Sequence, residues 1–139
     1  MPDVYRADIL IRFRHCDPAG IVFFPRYMEM FNDLVEDWCR DALDIDFNEI
    51  HPQRGWGLPT VHLDVDFLAP SVLGDRLAAT LGVNHIGSSS IGVSITLCGP
   101  DGAERVRGRS VLVFIRGETK HASPIPDELR ARITRFYAG

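Results

Sequence analysis

The stretch His15-Cys16-Asp17-Pro18-Ala19-Gly20-Ile21-Val22-Phe23-Phe24-Pro25 leads directly into the longest helical pattern in the chain. Asp17-Pro18 favours an extended or turn conformation, because a proline restricts its own φ angle and also the residue before it. Gly20 permits backbone angles that larger residues resist, and Pro25 suits the first turn of a helix. The stretch therefore predicts a tight turn that places the carboxylate of Asp17 just before a helix.

The helix predicted after this turn spans residues 24–43. Its apolar residues recur at every third or fourth position, and charged residues fill the positions between them. The apolar set is Tyr27, Met30, Phe31, Leu34, Val35, Trp38, Cys39 and Ala42. One face of the helix is therefore expected to be buried and the other to face solvent.

The rest of the chain alternates apolar and polar residues in the manner of β-strands. The predicted strands are residues 5–13, 60–67, 76–86, 91–97 and 104–116, and a short amphipathic helix is predicted over 126–137. Short links such as Gly99-Pro100-Asp101-Gly102 are typical of hairpins and make consecutive strands antiparallel. The order predicts an α+β fold, with one curved antiparallel five-stranded sheet wrapped around a long central helix and a short C-terminal helix.

Length and composition narrow the class of protein. A chain of 139 residues is predicted to form one domain, residues 1–139, with a substantial core. A net charge of -4 gives no reason to expect nucleic acid or an anionic membrane as a partner. The chain has no apolar run of ~20 residues and no apolar N-terminal signal segment, so a cytoplasmic location is expected. The three cysteines form no C-x-x-C pair, so neither a disulfide framework nor a zinc site is indicated.

Two motifs carry a resemblance to a known family. The run Asp17-Pro18-Ala19-Gly20-Ile21-Val22-Phe23-Phe24-Pro25-Arg26-Tyr27 closely resembles the active-site loop of the 4-hydroxybenzoyl-CoA thioesterases, which have the hotdog fold. The run Val65-Asp66-Phe67-Leu68-Ala69-Pro70, followed by Leu73-Gly74-Asp75, resembles a strand end found in many hotdog proteins. The resemblance implies a hydrolase of acyl-CoA that forms a homodimer, and further a dimer of dimers (a homotetramer), with active sites at subunit interfaces. Coenzyme A is part of the substrate and product, so the resemblance implies no bound cofactor and no metal.

The resemblance also assigns roles within the first motif. Asp17 is expected to be the catalytic carboxylate, either as the nucleophile that attacks the thioester carbonyl or as the general base that activates water. The backbone N–H of Phe24 is expected to donate to the thioester oxygen, because a helix N-terminus offers free amides and a partial positive charge. Gly20, in the same loop, is expected to contact the substrate.

Other positions are predicted to bind the substrate. Asn32 occupies the position at which the 4-hydroxybenzoyl-CoA enzyme has an acidic residue for the ring hydroxyl. His62 and Asp64, on one face of a predicted strand, are candidates for the pocket. The segment at which that enzyme holds the coenzyme A phosphates is uncharged here, so the phosphate-binding role is assigned to three arginines elsewhere. These are Arg107, Arg109 and Arg116.

Alternative interpretations remain open at this point. His62, Asp64 and Asp66 share a strand face and raise the question of a metal site, but alternating polar residues more often mark a solvated face. Cys16 lies beside Asp17, yet no histidine is placed to activate it as a nucleophile. An aromatic, hydroxybenzoyl-like acyl group is favoured over a short aliphatic one. The alternative functions are a non-catalytic acyl-thioester binding or assembly module, a short-chain aliphatic acyl-CoA thioesterase and a dehydratase acting on acyl carrier protein.

Overall fold

A computed structural model describes residues 1–45, 49–50, 55–117 and 120–139 of the chain. Its principal helix, α1, spans Pro25–Asp41, and a shorter helix, α2, spans Asp127–Thr134. In chain order the strands are β1 (Tyr5–Leu10), β2 (Trp56–Gly57), β3 (Thr60–Phe67), β4 (Arg76–Ile86), β5 (Ser90–Cys98), β6 (Glu104–Val113), β7 (Ile115–Arg116) and β8 (His121–Ala122).

The main sheet has five strands in the order β1-β4-β5-β6-β3, and every neighbouring pair is antiparallel. The predicted hotdog fold, with its α+β sheet and long helix, is therefore confirmed. β3 and β1 are the two ends of this sheet. This order places β3, the first strand of this sheet after α1, at one edge, while β1 forms the other edge beside β4.

The core lies between α1 and one face of the sheet. The buried face of α1 consists of Tyr27, Met30, Phe31, Leu34, Val35, Trp38 and Cys39. Opposite it, β4, β5 and β6 contribute alternate residues that are almost completely buried, among them Leu77, Leu81, Ile91, Val93, Ile95, Leu97 and Val106. The period-two pattern of the strands and the three-to-four pattern of the helix thus meet in one apolar layer.

The ring of Phe31 in α1 packs directly on Gly108 in β6. A Cβ atom at this position would lie 2.5 Å from the ring atom Cε2 of Phe31. A side chain at residue 108 would therefore push α1 away from the sheet, because protein cores are packed without spare volume. The helix α2 covers one end of the same layer, where the rings of Trp38 and Phe136 meet edge to face at 5.6 Å.

Several predicted boundaries are wrong by a few residues. The first strand ends at Leu10 instead of residue 13, because Phe13–His15 forms a turn of 3₁₀ helix and leaves Phe13 82% exposed. The last strand ends at Val113, because the Phe114 amide donates to the Ser89 carbonyl and the chain then enters a second sheet. That small sheet, with the order β2-β7-β8, has no strong alternating pattern and was not predicted.

The stretch 44–57 is irregular in sequence, and its apolar residues Phe47, Ile50 and Trp56 predict that it packs back against the domain. Ile50 is buried, and the ring of Trp56 meets that of Phe114 at 5.2 Å, which agrees with this expectation. Phe47, which belonged to the same prediction, lies outside the described residues. Neither of the described helices has the length and apolarity that crossing a membrane requires.

Candidate active site

Asp17 lies in a small hairpin between β1 and α1. Cys16 and Val22 face each other across this hairpin, the Asp17 amide donates to the Ile21 carbonyl at 2.9 Å, and the Phe23 amide donates to the His15 carbonyl at 2.9 Å. These bonds bring the chain back on itself within seven residues. Asp17 and Phe24 are therefore held on the same compact unit, at the entrance to α1.

The geometry of the turn in this hairpin accounts for the aspartate and the glycine in its sequence. The Gly20 amide donates to the Asp17 carbonyl at 2.9 Å, and the Ala19 amide donates to the side-chain Oδ1 of Asp17 at 2.8 Å. Gly20 has a φ of 84°, a conformation that residues with a Cβ rarely adopt. One carboxylate oxygen of Asp17 thus orders the turn, and the half-buried side chain keeps its second oxygen for other contacts.

The first turn of α1 presents an unused amide beside this hairpin. The amides of Arg26 and Tyr27 donate to the carbonyls of Phe23 and Phe24, and Pro25 has no amide hydrogen. Within the described ranges of the chain, the amide of Phe24 donates to no acceptor. An amide at this position is strengthened as a donor by the positive end of the helix dipole.

Aromatic rings line the approach to the helix start. The ring of Phe24 lies 6.1 Å from that of Phe67 at the end of β3, and Tyr27 lies 5.9 Å from the same ring. Phe24 is 60% exposed and Phe67 is 50% exposed. Tyr27 is buried beneath them. Two partly exposed rings therefore lie together at the start of α1, and the contact between them was not predicted from the sequence although both residues lie in the motifs.

The residues predicted to bind the acyl group, Asn32, His62 and Asp64, lie away from the hairpin. Asn32 is an exposed residue of α1, so its amide is open to solvent in the single chain. Asp64 pairs with Arg109 across β3 and β6, on the face of the sheet that points away from α1. His62, two residues before Asp64, lies on the same outer face. The structure does not bring His62 or Asp64 together with Asp17 within one chain.

The three arginines predicted to bind phosphate are not a cluster. Arg107 and Arg109 lie on the outer face of the sheet, and Arg107 is 3.7 Å from the carboxylate of Glu104. Arg116 belongs to the small sheet, where its guanidinium lies 5.8 Å from the ring centre of Trp56. The phosphate-binding role of these three arginines stays a prediction, and the residues lie on two separate surfaces. Across the described ranges, no group of histidine, cysteine, aspartate and glutamate side chains has the arrangement to hold a metal ion.

His15 anchors the hairpin through its uncharged form. Its ring nitrogen Nδ1 accepts the amide proton of Arg12 at 2.8 Å, which requires that this nitrogen carry no proton. Burial lowers the pKa of His15 below its ordinary value of 6.5, and the positive charges of Arg14, Arg12 and Arg26 lower the pKa further. The loop that carries Asp17 is therefore expected to be sensitive to acid.

We expect the free energy of unfolding to fall as the pH is lowered below about 6.5. The unfolded state, in which His15 has an ordinary pKa, then binds more protons than the folded state, so stability is fully present above this pH and is lost below it. Urea unfolding between pH 5 and 7.5 measures the effect. His15→Asn, which keeps an acceptor for the Arg12 amide but does not titrate, should flatten the slope between pH 5 and 6.5. His85→Asn, at an exposed histidine, should leave the slope unchanged, and an equal slope in His15→Asn and the parent would contradict the explanation.

Comparisons with known proteins agree with the fold. The model of the thioesterase-like superfamily matches residues 11–133, and the chain belongs to that superfamily. The prediction of a thioester hydrolase is confirmed at this level. The narrower 4-hydroxybenzoyl-CoA thioesterase family stays a prediction.

Individual relatives are similar over nearly the full chain. A 1,4-dihydroxy-2-naphthoyl-CoA hydrolase of Acaryochloris marina is 27% identical over 128 residues, which cover 91% of this chain and 93% of that protein. The crystal structure of Slr0204, a 1,4-dihydroxy-2-naphthoyl-CoA thioesterase from Synechocystis, superposes with a TM-score of 0.87 at 21% identity and covers 95% of this chain and 96% of that one. BH1999, a gentisyl-coenzyme A thioesterase, superposes with a TM-score of 0.80 at 22% identity, with 92% and 99% covered.

Proposed function

We propose that this protein hydrolyses an aromatic acyl-CoA to the free acid and coenzyme A, with Asp17 as the catalytic carboxylate. The observation that carries the proposal is the hairpin before α1. It holds an ordered aspartate on the same unit as a helix N-terminal amide, that of Phe24, which donates to no acceptor in the described part of the chain. A carboxylate and an amide donor are the two groups that cleavage of a thioester needs.

The chemistry divides between these groups. The carboxylate of Asp17 either takes a proton from the water that adds to the carbonyl carbon or adds to that carbon itself, after which water cleaves the resulting anhydride. In both routes negative charge develops on the carbonyl oxygen, and the Phe24 amide donates to it. One such donor is worth ~10²-fold or more in rate. Collapse of this tetrahedral adduct breaks the C–S bond, which in the nucleophilic route is the step that forms the anhydride. The departing thiolate of coenzyme A takes up the proton that the attacking water supplies.

The exposed rings support an aromatic acyl group. Phe24 and Phe67 offer ring faces and edges to a planar ligand at the position where the acyl group adjoins the carbonyl. Asn32 provides an amide for a ring hydroxyl. The named substrates of the relatives, a dihydroxynaphthoyl-CoA and a gentisyl-CoA, are aromatic as well. We therefore favour a hydroxylated aromatic ring over an aliphatic chain, with 4-hydroxybenzoyl-CoA as one candidate.

The nucleotide end of the substrate needs cations. Arg116 lies near the turn between β4 and β5, because the Phe114 amide donates to Ser89, and it is our first candidate for a phosphate contact. Arg107 and Arg109, with Asp64 and His62 on the same face, are the second. The reaction as written needs no cofactor or metal, and we place it in the cytoplasm.

The site is proposed to be completed by a second copy of the chain. In the described part of the chain, β3 has a paired neighbour on one side only, and two of its apolar residues on the helix side, Leu63 and Phe67, are exposed, with Leu63 at 39%. Exposed strand edges of this kind favour pairing between copies. Antiparallel pairing of two β3 strands would bring a partner strand to the rings of Phe24 and Phe67. A dimer of such dimers is the assembly that we expect.

Release of free thiol from a panel of CoA thioesters tests the function. The panel contains benzoyl, 4-hydroxybenzoyl, gentisyl, dihydroxynaphthoyl and short aliphatic thioesters. We expect the largest kcat/KM with a hydroxylated aromatic thioester. A preference for aliphatic thioesters would reject the aromatic assignment, and binding without thiol release would favour a non-catalytic acyl-thioester module.

Replacing Phe67 by leucine is expected to reduce aromatic selectivity. The variant keeps an apolar side chain but loses the ring that contacts Phe24. The kcat/KM for the preferred aromatic thioester should therefore fall by about 2- to 10-fold, in line with ~0.5–1.5 kcal/mol for an aromatic pair. Values for an aliphatic thioester should change much less. Phe13→Leu makes the same change at an exposed ring outside the hairpin and should leave the ratio intact. An unchanged ratio in Phe67→Leu would remove the ring from substrate selection.

A further inference from the structure

One guanidinium nitrogen of Arg105 contacts three groups in the segment that precedes β4. Nη1 of Arg105 lies 3.0 Å from the carbonyl oxygen of Pro70, 3.1 Å from Oγ of Ser71 and 3.1 Å from Oδ2 of Asp75. The same Oδ2 accepts the amide proton of Val72 at 3.0 Å. The guanidinium and the carboxylate together therefore close the turn over residues 70–75, which contains the Gly-Asp pair of the second motif.

This turn is the partner of the hairpin that carries Asp17. The Val22 amide donates to the Ser71 carbonyl at 3.0 Å, and Ile21 and Val72 face each other across an antiparallel bridge. Ile21 in turn accepts the amide of Asp17. A continuous path of hydrogen bonds thus runs from the guanidinium of Arg105 through the turn to the backbone of the catalytic candidate.

The groups that form the Arg105 bonds are largely shielded from solvent. The side chain of Arg105 is 15% exposed and that of Asp75 is 20% exposed, while Ser71 is inaccessible to solvent. This ion pair is mostly shielded from water, and further hydrogen bonds satisfy its groups. Removing one partner of such a pair lowers the free energy of unfolding, because the other partner is left buried without a bond. The side chain of Tyr27, in the first turn of α1, lies beside Ser71, so the helix start also packs close to this turn.

We propose that Arg105 is a positioning residue for the active site: it holds the 70–75 turn against the hairpin and thereby fixes where the carboxylate of Asp17 and the start of α1 stand relative to one another. It touches neither of those groups and acts through Ser71 and Val72. The consequence for catalysis rests on the function proposed above, whereas the consequence for loop order does not.

Arg105→Gln tests this inference by two separate measurements. Hydrogen–deuterium exchange at the amides of Asp17, Val22 and Phe23 should accelerate by about fivefold or more, because the hairpin loses its support. The amide of Ala42, at the other end of α1, should exchange at the parental rate. In the thiol-release assay kcat should fall roughly 10- to 100-fold with KM within about twofold, as expected when reacting groups are misplaced by a fraction of an ångström to 1 Å.

Two further variants separate positioning from general loss of structure. Arg105→Lys retains a positive nitrogen and should recover much of both the exchange protection and kcat. Arg40→Gln makes the same change at an exposed arginine that bonds to Asp37 and Asp41 at the far end of α1. This variant should change neither the exchange rates nor kcat. Parental exchange at the three hairpin amides in Arg105→Gln overturns the inference, whether or not the protein cleaves thioesters. Failure of the parent to release thiol would instead count against the proposed function alone.

Discussion

Replacing Asp17 by asparagine is expected to lower kcat for the preferred aromatic acyl-CoA by ~10²–10⁴-fold, the range that a positioned acid or base supplies. Asparagine retains an Oδ1 that can accept the Ala19 amide proton, so the turn should form as in the parent. It has no negative charge with which to activate water or attack the carbonyl. The loss should therefore appear in kcat, measured by thiol release, with little change in the midpoint of thermal unfolding.

Asp44→Asn is the matched control for this experiment. Asp44 is exposed beyond the C-terminal end of α1 and has a φ of 55°, a conformation that asparagine tolerates well. The same chemical change there should leave kcat at the parental value. If Asp17→Asn retained parental turnover, the carboxylate would have no part in the mechanism, and the role assigned to the hairpin would have to be abandoned.

Leu63→Arg is expected to convert the protein to single chains and to remove most of its activity. The substitution places a charge in the middle of the exposed apolar strip of β3, a change that natural sheets use to prevent pairing at their edges. Without the partner strand the acyl site is open to water on one side, and we expect a loss of about 10²-fold or more in kcat/KM. Light scattering after size-exclusion chromatography measures the mass, and the thiol assay measures activity on the same fractions.

Val4→Arg is the corresponding control. Val4 is an exposed apolar residue before β1, so its replacement adds the same charge far from β3 and should change neither mass nor activity. A parent that elutes as a single chain with full turnover would disprove the requirement for a second copy while leaving the hydrolase proposal standing. A Leu63→Arg protein that remains a dimer would show that the copies associate through another surface.

The long, regular elements were predicted correctly because their buried faces repeat in the sequence. β3 and β4 have the predicted bounds, and α1 begins one residue later than predicted, at Pro25. The misplaced ends of β1 and β6 lie where a hydrogen bond outside the regular strand pairing redirects the chain. Phe13 continued the alternating pattern of β1, but His15 accepts the Arg12 amide and turns the chain, so that the ring of Phe13 points into solvent. The alternation of apolar and polar residues contains no information about such a side-chain bond.

The sequence by itself determined the α+β class, the core-facing residues and the turn that presents Asp17, because periodicity, glycine and proline act locally on the backbone. Tertiary structure alone decided which side chains share a site. It brought Phe67 to Phe24 and Arg105 to the turn at Asp75, and it put Asp64 and Arg109 on the opposite face of the sheet. These outcomes depend on strand order and register, which bring together residues 30 or more positions apart in the chain. Order and register are settled only when the whole apolar layer packs at once.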